Sequence, residues 1–162
     1  MSMKRQVTPA MALDRLKALC SRSEQSVCDV RRKLAAWSIA PGDADRIVSA
    51  LARCRYVDDC RFARAYVRDK YRFSRWGRQK IKLGLVQKRI SSGLIAEAME
   101  EIDEDGYRAN LLYVLRAKAR SLGDEAATYD GRTRIFRHGM ARGYEPALVI
   151  DVIKSGELWE GC

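Results

Sequence analysis

The chain has 162 residues, of which 47% are apolar and 32% charged, with 3 prolines and 11 glycines. This length suits one ordinary domain or a few small repeats, and the composition excludes disorder and collagen-like structure. The 31 Lys and Arg residues outnumber the 21 Asp and Glu residues, and a chain this basic usually has a polyanionic partner such as nucleic acid. The longest apolar run is too short to span a bilayer, and Met1 to Arg5 lead into no secretory stretch, so we expect a cytoplasmic protein.

The cysteines indicate neither a disulfide framework nor a metal site. No two of them form a C-x-x-C pair, and the only histidine is His138. Without a secretion signal, free thiols are the default, and a zinc site needs more closely spaced ligands. We therefore expect no metal and no other cofactor. The five cysteines are Cys20, Cys28, Cys54, Cys60 and Cys162.

Three helices are predicted at the start of the chain, because apolar residues recur there at intervals of three and four. The first begins near Pro9, the second follows the cap Ser23 with Ser26 close behind, and the third is capped by Asp43 after the break at Ala40. The same spacing continues to the end of the chain and predicts no strand. The residues predicted to face the core are Leu13, Leu16 and Cys20, then Val27, Val30, Leu34 and Trp37, then Ile47, Val48 and Leu51.

This pattern recurs twice further along the chain. A shift of 51 positions carries Val30, Leu34, Ile39, Val48 and Leu51 onto Ile81, Leu85, Ile90, Met99 and Ile102, and a further shift of 54 carries Ile81, Ile90, Ile95 and Met99 onto Ile135, Tyr144, Val149 and Ile153. The sequence thus predicts an all-α protein of three tandem three-helix repeats, residues 1–55, 56–103 and 104–162. Repeats of this size stack into an elongated, curved solenoid, which favours a monomeric binding protein over an enzyme. We expect the tail with Leu158 and Trp159 to pack on the last repeat.

The charge excess lies in the middle repeat. Residues 61–90 contain eleven Lys or Arg residues and one acidic residue, Asp69. At 100° per residue, five arginines of the first helix form a stripe about 80° wide, opposite Phe62, Tyr66 and Phe73, which we assign to the core. The second helix adds three basic residues. The basic residues of the two helices are Arg61, Arg64, Arg68, Arg72, Arg75, Arg78, Lys82 and Arg89.

A basic stripe is usually no more than a solvated helix face, but here it indicates a partner. Like charges at i and i+4 repel by roughly a few tenths of a kcal/mol per pair, and within the segment only Asp69 relieves them. The candidate partners are a nucleic-acid backbone and an acidic groove on a protein. Tyr71, at the border of the stripe, is the best candidate for stacking on a base, and Trp76 could be exposed or buried.

The run from Tyr56 to Val67, with the letters YVDDCRFARAYV, resembles the signature of the RecX family, bacterial regulators of the recombinase RecA. The segment from Trp76 to Ile90 is similar to the family pattern of a Gly, a Lys-Ile or Arg-Leu pair, a Leu and Lys-Gly-Ile, with Arg89 in place of the usual Gly. Arg142-Gly143-Tyr144 resembles a turn of the family's third repeat. The resemblance covers about residues 10–155.

The resemblance implies three tandem three-helix repeats and a function without catalysis. Family members are thought to lie in the groove of the RecA filament on single-stranded DNA and to restrain its growth and its ATPase, strand-exchange and coprotease activities. The basic residues above would then contact the filament or its DNA. The alternative is a stand-alone DNA-binding helical module whose arginines contact the phosphate backbone. The signature residues with structural roles are Tyr56, Asp58, Asp59, Phe62, Ala63 and Tyr66.

Two features that resemble catalytic groups have simpler explanations. Asp58 and Asp59 precede a helix, where a carboxylate caps free N–H groups and meets the positive end of the helix dipole. His138 has no Ser, Cys or Asp spaced to form a triad, and no phosphate-binding loop pattern occurs. We therefore expect no enzymatic activity.

Overall fold

The computed structural model describes residues 5–160, so Cys162 and the start of the chain at Met1 lie outside the described residues. Within that range the protein consists of nine α-helices and two short 3-10 helices, with no strand. The helices are α1 (Pro9–Arg22), α2 (Val27–Ala36), α3 (Pro41–Arg53), α4 (Asp59–Arg72), α5 (Arg78–Gln87), α6 (Ser92–Met99), α7 (Glu104–Leu122), α8 (Tyr129–Ala141) and α9 (Pro146–Lys154). The 3-10 helices are Gly123–Ala127 and Glu157–Trp159.

Most helices begin at a side-chain cap, although two of the predicted caps are wrong. Ser26, not Ser23, caps α2, because Ser26 and Asp29 form a reciprocal capping box. The third helix begins two residues before Asp43, because Pro41 suits the first helical position, where no N–H is needed. Asp43 instead pairs with Arg46 within the first turn of α3. Thr8, Asp58, Ser91, Asp103 and Thr128 are the side-chain caps of the other helices that have one.

The predicted three-helix repeat is confirmed at the end of each second helix. The chain there adopts a positive φ at Ser38, Arg89 and Gly143, which are spaced by the same 51 and 54 positions as the apolar pattern. The next residue in each case is buried and donates its N–H to the carbonyl five positions earlier, as in a Schellman helix end. These three bonds run from Ile39 to Leu34 (3.0 Å), from Ile90 to Leu85 (3.1 Å) and from Tyr144 to Gly139 (3.2 Å).

The helices bury two separate hydrophobic cores. The first lies within α1–α3 and extends to Val57. The second is continuous from Phe62 in α4 to Leu158 after α9, so the second and third repeats share it. Leu158 is 1% exposed, which confirms that the tail packs on the last repeat.

The junction between the first and second repeats is polar. The Val27 amide at the start of α2 donates to Asp59 Oδ1 (2.9 Å) at the start of α4. Ion pairs join Asp29 to Lys88 and Glu24 to Arg61. Three carboxylates therefore link these two repeats, and their cores do not merge.

The junction between the second and third repeats is a close backbone contact over the shared core. Gly77 donates its N–H to Arg142 O (2.7 Å), and Gln79 donates to Gly143 O (3.0 Å). A side chain on Gly77 would collide with the Gly143 carbonyl. The buried Tyr144 hydroxyl donates to Arg75 O (2.8 Å). This junction holds the two repeats as one unit.

The molecule exposes more surface than a compact protein of its mass. Its accessible surface is 10252 Å², whereas a compact monomer of this size exposes about 8200 Å². The excess agrees with a row of repeats rather than a sphere. Within the described part of the chain, none of the helices has the length and apolarity to cross a bilayer.

Candidate partner-binding surface

Helix α4 turns its arginines to solvent, although the core face lies further round the helix than the sequence predicts. The residues in the buried row are Ala63, Val67 and Tyr71, with Phe62 at its edge. Arg64, Arg68 and Arg72 lie on the exposed face. Arg75 does not extend this face as predicted, because α4 ends at Arg72 and the chain turns at Arg75 with φ of +49°.

The shift of the core face reverses two aromatic assignments. Tyr71 is only 9% exposed, and its carbonyl accepts a hydrogen bond from the Asn110 side chain (2.9 Å), so it is not available for base stacking. Phe73, which the pattern assigns to the core, is 78% exposed because it lies beyond the last turn of α4. Phe62 is buried and Tyr66 is half-buried, as predicted.

The side chain of Arg61 links the first two repeats. Its Nε donates to Glu24 Oε1 (2.6 Å), and its Nη2 donates to the carbonyls of Arg55 (3.1 Å) and Tyr56 (3.4 Å). The hydrogen bond to Glu24 raises the pKa of the Arg61 guanidinium above its ordinary value. With all these partners inside the chain, Arg61 has little left to offer an external ligand.

Two further arginines of α4 have acidic neighbours at the end of the same repeat. Arg64 Nη2 lies 4.0 Å from Glu97 Oε2, and Arg68 Nη1 lies 3.6 Å from Glu101 Oε2. Both pairs are solvent-exposed and therefore weak. The expectation that only an outside partner relieves the stripe is thus wrong for this part of it. In both pairs the arginine and the glutamate lie 33 positions apart, and this equal spacing in the sequence is the signal that predicts the pairing.

Arg78 also lies inside the structure. Its guanidinium pairs with Glu104, lies 3.2 Å from Glu145 Oε1 and stacks 4.0 Å from the centre of the Tyr107 ring. Tyr107 accepts a hydrogen bond from the Arg78 backbone N–H (2.9 Å) and donates one to Glu145 (2.6 Å). Burial, with the hydrogen bond to Glu145, raises the pKa of the Tyr107 hydroxyl. Arg78 joins the second and third repeats.

The remaining basic residues are the ones open to a partner. Arg72, Lys82 and Arg89 are exposed, and none forms an ion pair with any residue in the range 5–160. Arg75 lies over the face of Tyr113, with its guanidinium 4.0 Å from the ring centre. Tyr113 is 53% exposed, and no sequence pattern links it to the arginine stripe because it lies on α7 in the third repeat. The eight predicted basic residues thus fall into two groups. Some, such as Arg61 and Arg78, contact other parts of the chain, and others, such as Arg72 and Lys82, are accessible to a partner.

The acidic signature residues are caps, as predicted, but they cap different helices. Asp58 accepts a hydrogen bond from the Arg61 N–H (3.0 Å) at the start of α4. Asp59 instead accepts from the Val27 N–H at the start of α2 in the preceding repeat. Tyr56 is half-buried on the first core, and Ala63 is fully buried on the core face of α4. Within the part of the chain that the structure describes, no cluster of His, Cys, Asp or Glu side chains could hold a metal ion.

A family model agrees with this second repeat. The model described as RecX, second three-helix domain, matches residues 58–99. The match contains the whole of α4, α5 and α6, and therefore all eight predicted basic residues.

Curated relatives match a larger part of the chain. A protein of Clostridium botulinum (strain Eklund 17B / Type B), named Regulatory protein RecX, is 30% identical over 116 residues, which are 69% of this chain and 54% of the relative. A protein of the same name from Vibrio parahaemolyticus is 26% identical over 144 residues, covering 89% of this chain and 90% of the relative. The chain spans about half the length of the clostridial relatives it matches.

A solved structure has the same fold. The crystal structure of RecX from Lactobacillus salivarius superposes with a TM-score of 0.78 at 18% identity. The superposition covers 93% of this chain and 97% of that one. The three-repeat arrangement is therefore shared along almost the full length of both chains.

Proposed function

Because this chain belongs to the RecX family, we propose that it regulates the RecA recombinase. It binds the filament that RecA forms on single-stranded DNA and inhibits it, limiting filament growth and the filament's ATPase, strand-exchange and coprotease activities. The protein acts as a monomeric, cytoplasmic binding module and turns over no substrate.

The observation that carries this proposal is the accessible charge on the second repeat. Arg72 and Lys82 are exposed and have no acidic partner among residues 5–160. Exposed, unpaired cations retain their full attraction for a polyanion, whereas Arg61 and Arg78 already have carboxylate partners. The DNA of a RecA filament presents phosphates, and an extended row of repeats offers a long contact surface for the filament.

Charge reversal at the accessible residues tests the proposal. The variant Arg72→Glu with Lys82→Glu should lose inhibition of the RecA ATPase on single-stranded DNA, because two attractive contacts become repulsive. Its thermal unfolding should stay that of the wild type, because both side chains face solvent. Arg53→Glu with Arg132→Glu is the matched control, since these arginines are also exposed but lie in α3 and α8. Undiminished inhibition by the Arg72 and Lys82 variant would overturn the assignment of this surface.

The same unpaired cations also favour a second candidate, a DNA-binding module that needs no recombinase. Such a module binds naked single-stranded DNA with a steep dependence on salt. A filament regulator instead binds the RecA filament much more tightly than it binds DNA or RecA alone. Titrating labelled protein with DNA, in the presence and absence of RecA and a slowly hydrolysed nucleotide, distinguishes the two.

A further inference from the structure

Three arginines line a cleft where the first repeat meets the second. Arg31 and Arg32 come from α2, Arg89 follows α5, and Cys28 and Ala35 complete the lining. The cleft has a volume of about 240 Å³, and no lining residue is acidic. Since a water molecule takes about 30 Å³ in the liquid, the cleft has room for a phosphate group.

Two of the three guanidinium groups have no carboxylate partner. Arg31 pairs with Asp45 at 2.8 Å. Arg32 makes only a long contact of 3.5 Å with the carbonyl of Gln87, and Arg89 forms no ion pair within the range 5–160. Asp29, next to Cys28 in the chain, does not neutralise them, because its carboxylate already accepts hydrogen bonds from Ser26 and Lys88. Most arginines of the α4 stripe, by contrast, have acidic neighbours inside the chain.

Arg89 reaches this cleft from the turn that ends α5. Arg89 adopts φ of +56°, in the left-handed region that favours glycine, and the third repeat has Gly143 at the corresponding position. A glycine would close α5 without strain. This position instead carries a long cationic side chain that lines the cleft together with Arg31 and Arg32.

We propose that this cleft binds a phosphate group of a single-stranded nucleic acid. Arginine suits this ligand because its planar fork of donors matches two phosphate oxygens. A phosphate held by Arg32 and Arg89 also bridges the polar junction between the first and second repeats. The proposal rests on the proposed function because it takes the DNA of the filament as the source of the phosphate. It adds a contact in the first repeat, Arg32, to the one at Arg89.

The test is binding of a fluorescent oligothymidylate to the full chain without RecA, measured by anisotropy over a range of salt concentrations. Arg32→Gln and Arg89→Gly should each weaken binding about tenfold, the loss expected for one charged hydrogen bond. Each should also flatten the slope of log affinity against log salt by about 0.7. Arg53→Gln removes the same charge from an exposed position on α3 and should leave the affinity unchanged. Arg89→Gly relieves backbone strain, so a loss of binding with a maintained melting temperature cannot come from unfolding.

Further measurements distinguish a phosphate ligand from an acidic protein as the anion that the cleft binds. Stabilisation by inorganic phosphate at constant ionic strength, lost in both variants, supports the cleft as a phosphate site. Equal binding of a polyglutamate peptide and the oligonucleotide would overturn the phosphate assignment in favour of an acidic protein. Wild-type oligonucleotide affinity in the variant with both substitutions would overturn the cleft itself. Because RecA is absent from these assays, failure of filament inhibition in the RecA assay would overturn the proposed function and leave this result intact.

Discussion

At the scale of single residues, Arg89 closes α5 in a backbone conformation that suits glycine. Its φ is +56°, and the left-handed region costs a residue with a side chain about 1 kcal/mol or more. Arg89→Gly should therefore raise the free energy of unfolding by up to about 1 kcal/mol, which corresponds to about 2–4 °C in Tm for a chain of this size. Thermal denaturation followed by circular dichroism measures this.

Arg132→Gly is the control for that change. Arg132 is an exposed residue inside α8, where glycine costs about 1 kcal/mol of helix stability. The two substitutions remove the same side chain and should move Tm in opposite directions. A lower Tm for Arg89→Gly would mean that the side chain contributes more to the folded state than the strain costs.

Gly77 and Gly93 differ in the space around them. A methyl group on Gly77 would collide with the Gly143 carbonyl, whereas a methyl on Gly93 would meet nothing within 4 Å. Gly77→Ala should therefore lower the free energy of unfolding by about 1–3 kcal/mol, the usual cost of overpacking. Gly93→Ala, within α6, should raise it by about 0.4–1 kcal/mol. Urea denaturation of both variants measures the two changes in the free energy of unfolding. Equal changes would contradict the close contact between the backbones of Gly77 and Gly143.

The aromatic residues of α4 mark where prediction from the sequence fails at this scale. The helical wheel identifies an exposed arginine face correctly, because Arg64, Arg68 and Arg72 share it. The wheel misplaces Tyr71 because it is centred on Phe62, Tyr66 and Phe73, whereas the buried row contains Tyr71 itself. It misplaces Phe73 because α4 ends at Arg72. The actual buried row starts at Ala63, a small residue that gives a weak signal in the sequence.

At the scale of helices, the repeat pattern predicts more than the individual caps do. The offsets of 51 and 54 positions, read from apolar residues alone, also locate the positive φ residues Ser38, Arg89 and Gly143. Pairs between repeats, such as Glu24 with Arg61 and Asp29 with Lys88, were not predicted. No local pattern links two side chains that meet only after whole repeats have packed.

The Asp29–Lys88 pair makes the first junction sensitive to acid. Burial alone would raise the pKa of the Asp29 carboxyl, but the hydrogen bonds from Lys88 and Ser26 outweigh burial and hold the pKa below its ordinary value. A carboxyl with a depressed folded-state pKa stabilises the protein above its unfolded pKa, near 4. That stability is lost as the pH falls through the folded pKa.

Asp29→Asn tests this linkage. At pH 7 the substitution should lower the free energy of unfolding by roughly 1.5–3 kcal/mol, the value of hydrogen bonds to a charged group. The difference from the wild type should shrink below pH 4, where the wild-type carboxyl also takes up a proton. Asp45→Asn breaks the exposed pair with Arg31 and should cost about 0–1 kcal/mol. A difference for Asp29→Asn that does not depend on pH would contradict the linkage, and urea denaturation across this range measures it.

At the scale of the whole molecule, the two cores predict unfolding in two steps. The core of the first repeat ends at Val57 and meets the rest of the chain through polar contacts, whereas the second and third repeats share one core. In a row of repeats, stability is the sum of each unit and its interfaces, so a weak interface allows one unit to unfold first. The division into units 1–55, 56–103 and 104–162 stays a prediction, and the two cores suggest that the last two units unfold together.

The three tryptophans allow this to be measured, because Trp37 packs on the first core while Trp76 and Trp159 pack on the second. With Trp76 and Trp159 replaced by Phe, the fluorescence of Trp37 should report an unfolding transition at lower urea than the loss of helical circular dichroism. Leu34→Ala, at a fully buried site of the first core, should lower the stability of that first transition by about 2–5 kcal/mol and leave the second unchanged. Leu85→Ala, equally buried in the second core, should do the reverse. Coincident transitions in the protein with Trp76 and Trp159 replaced, with and without either Leu substitution, would mean that the ion pairs couple the first repeat to the others as firmly as a shared core does. Separate transitions would mean that the first repeat can unfold while the other two stay folded, so the arginine cleft lies at the boundary between two units of different stability.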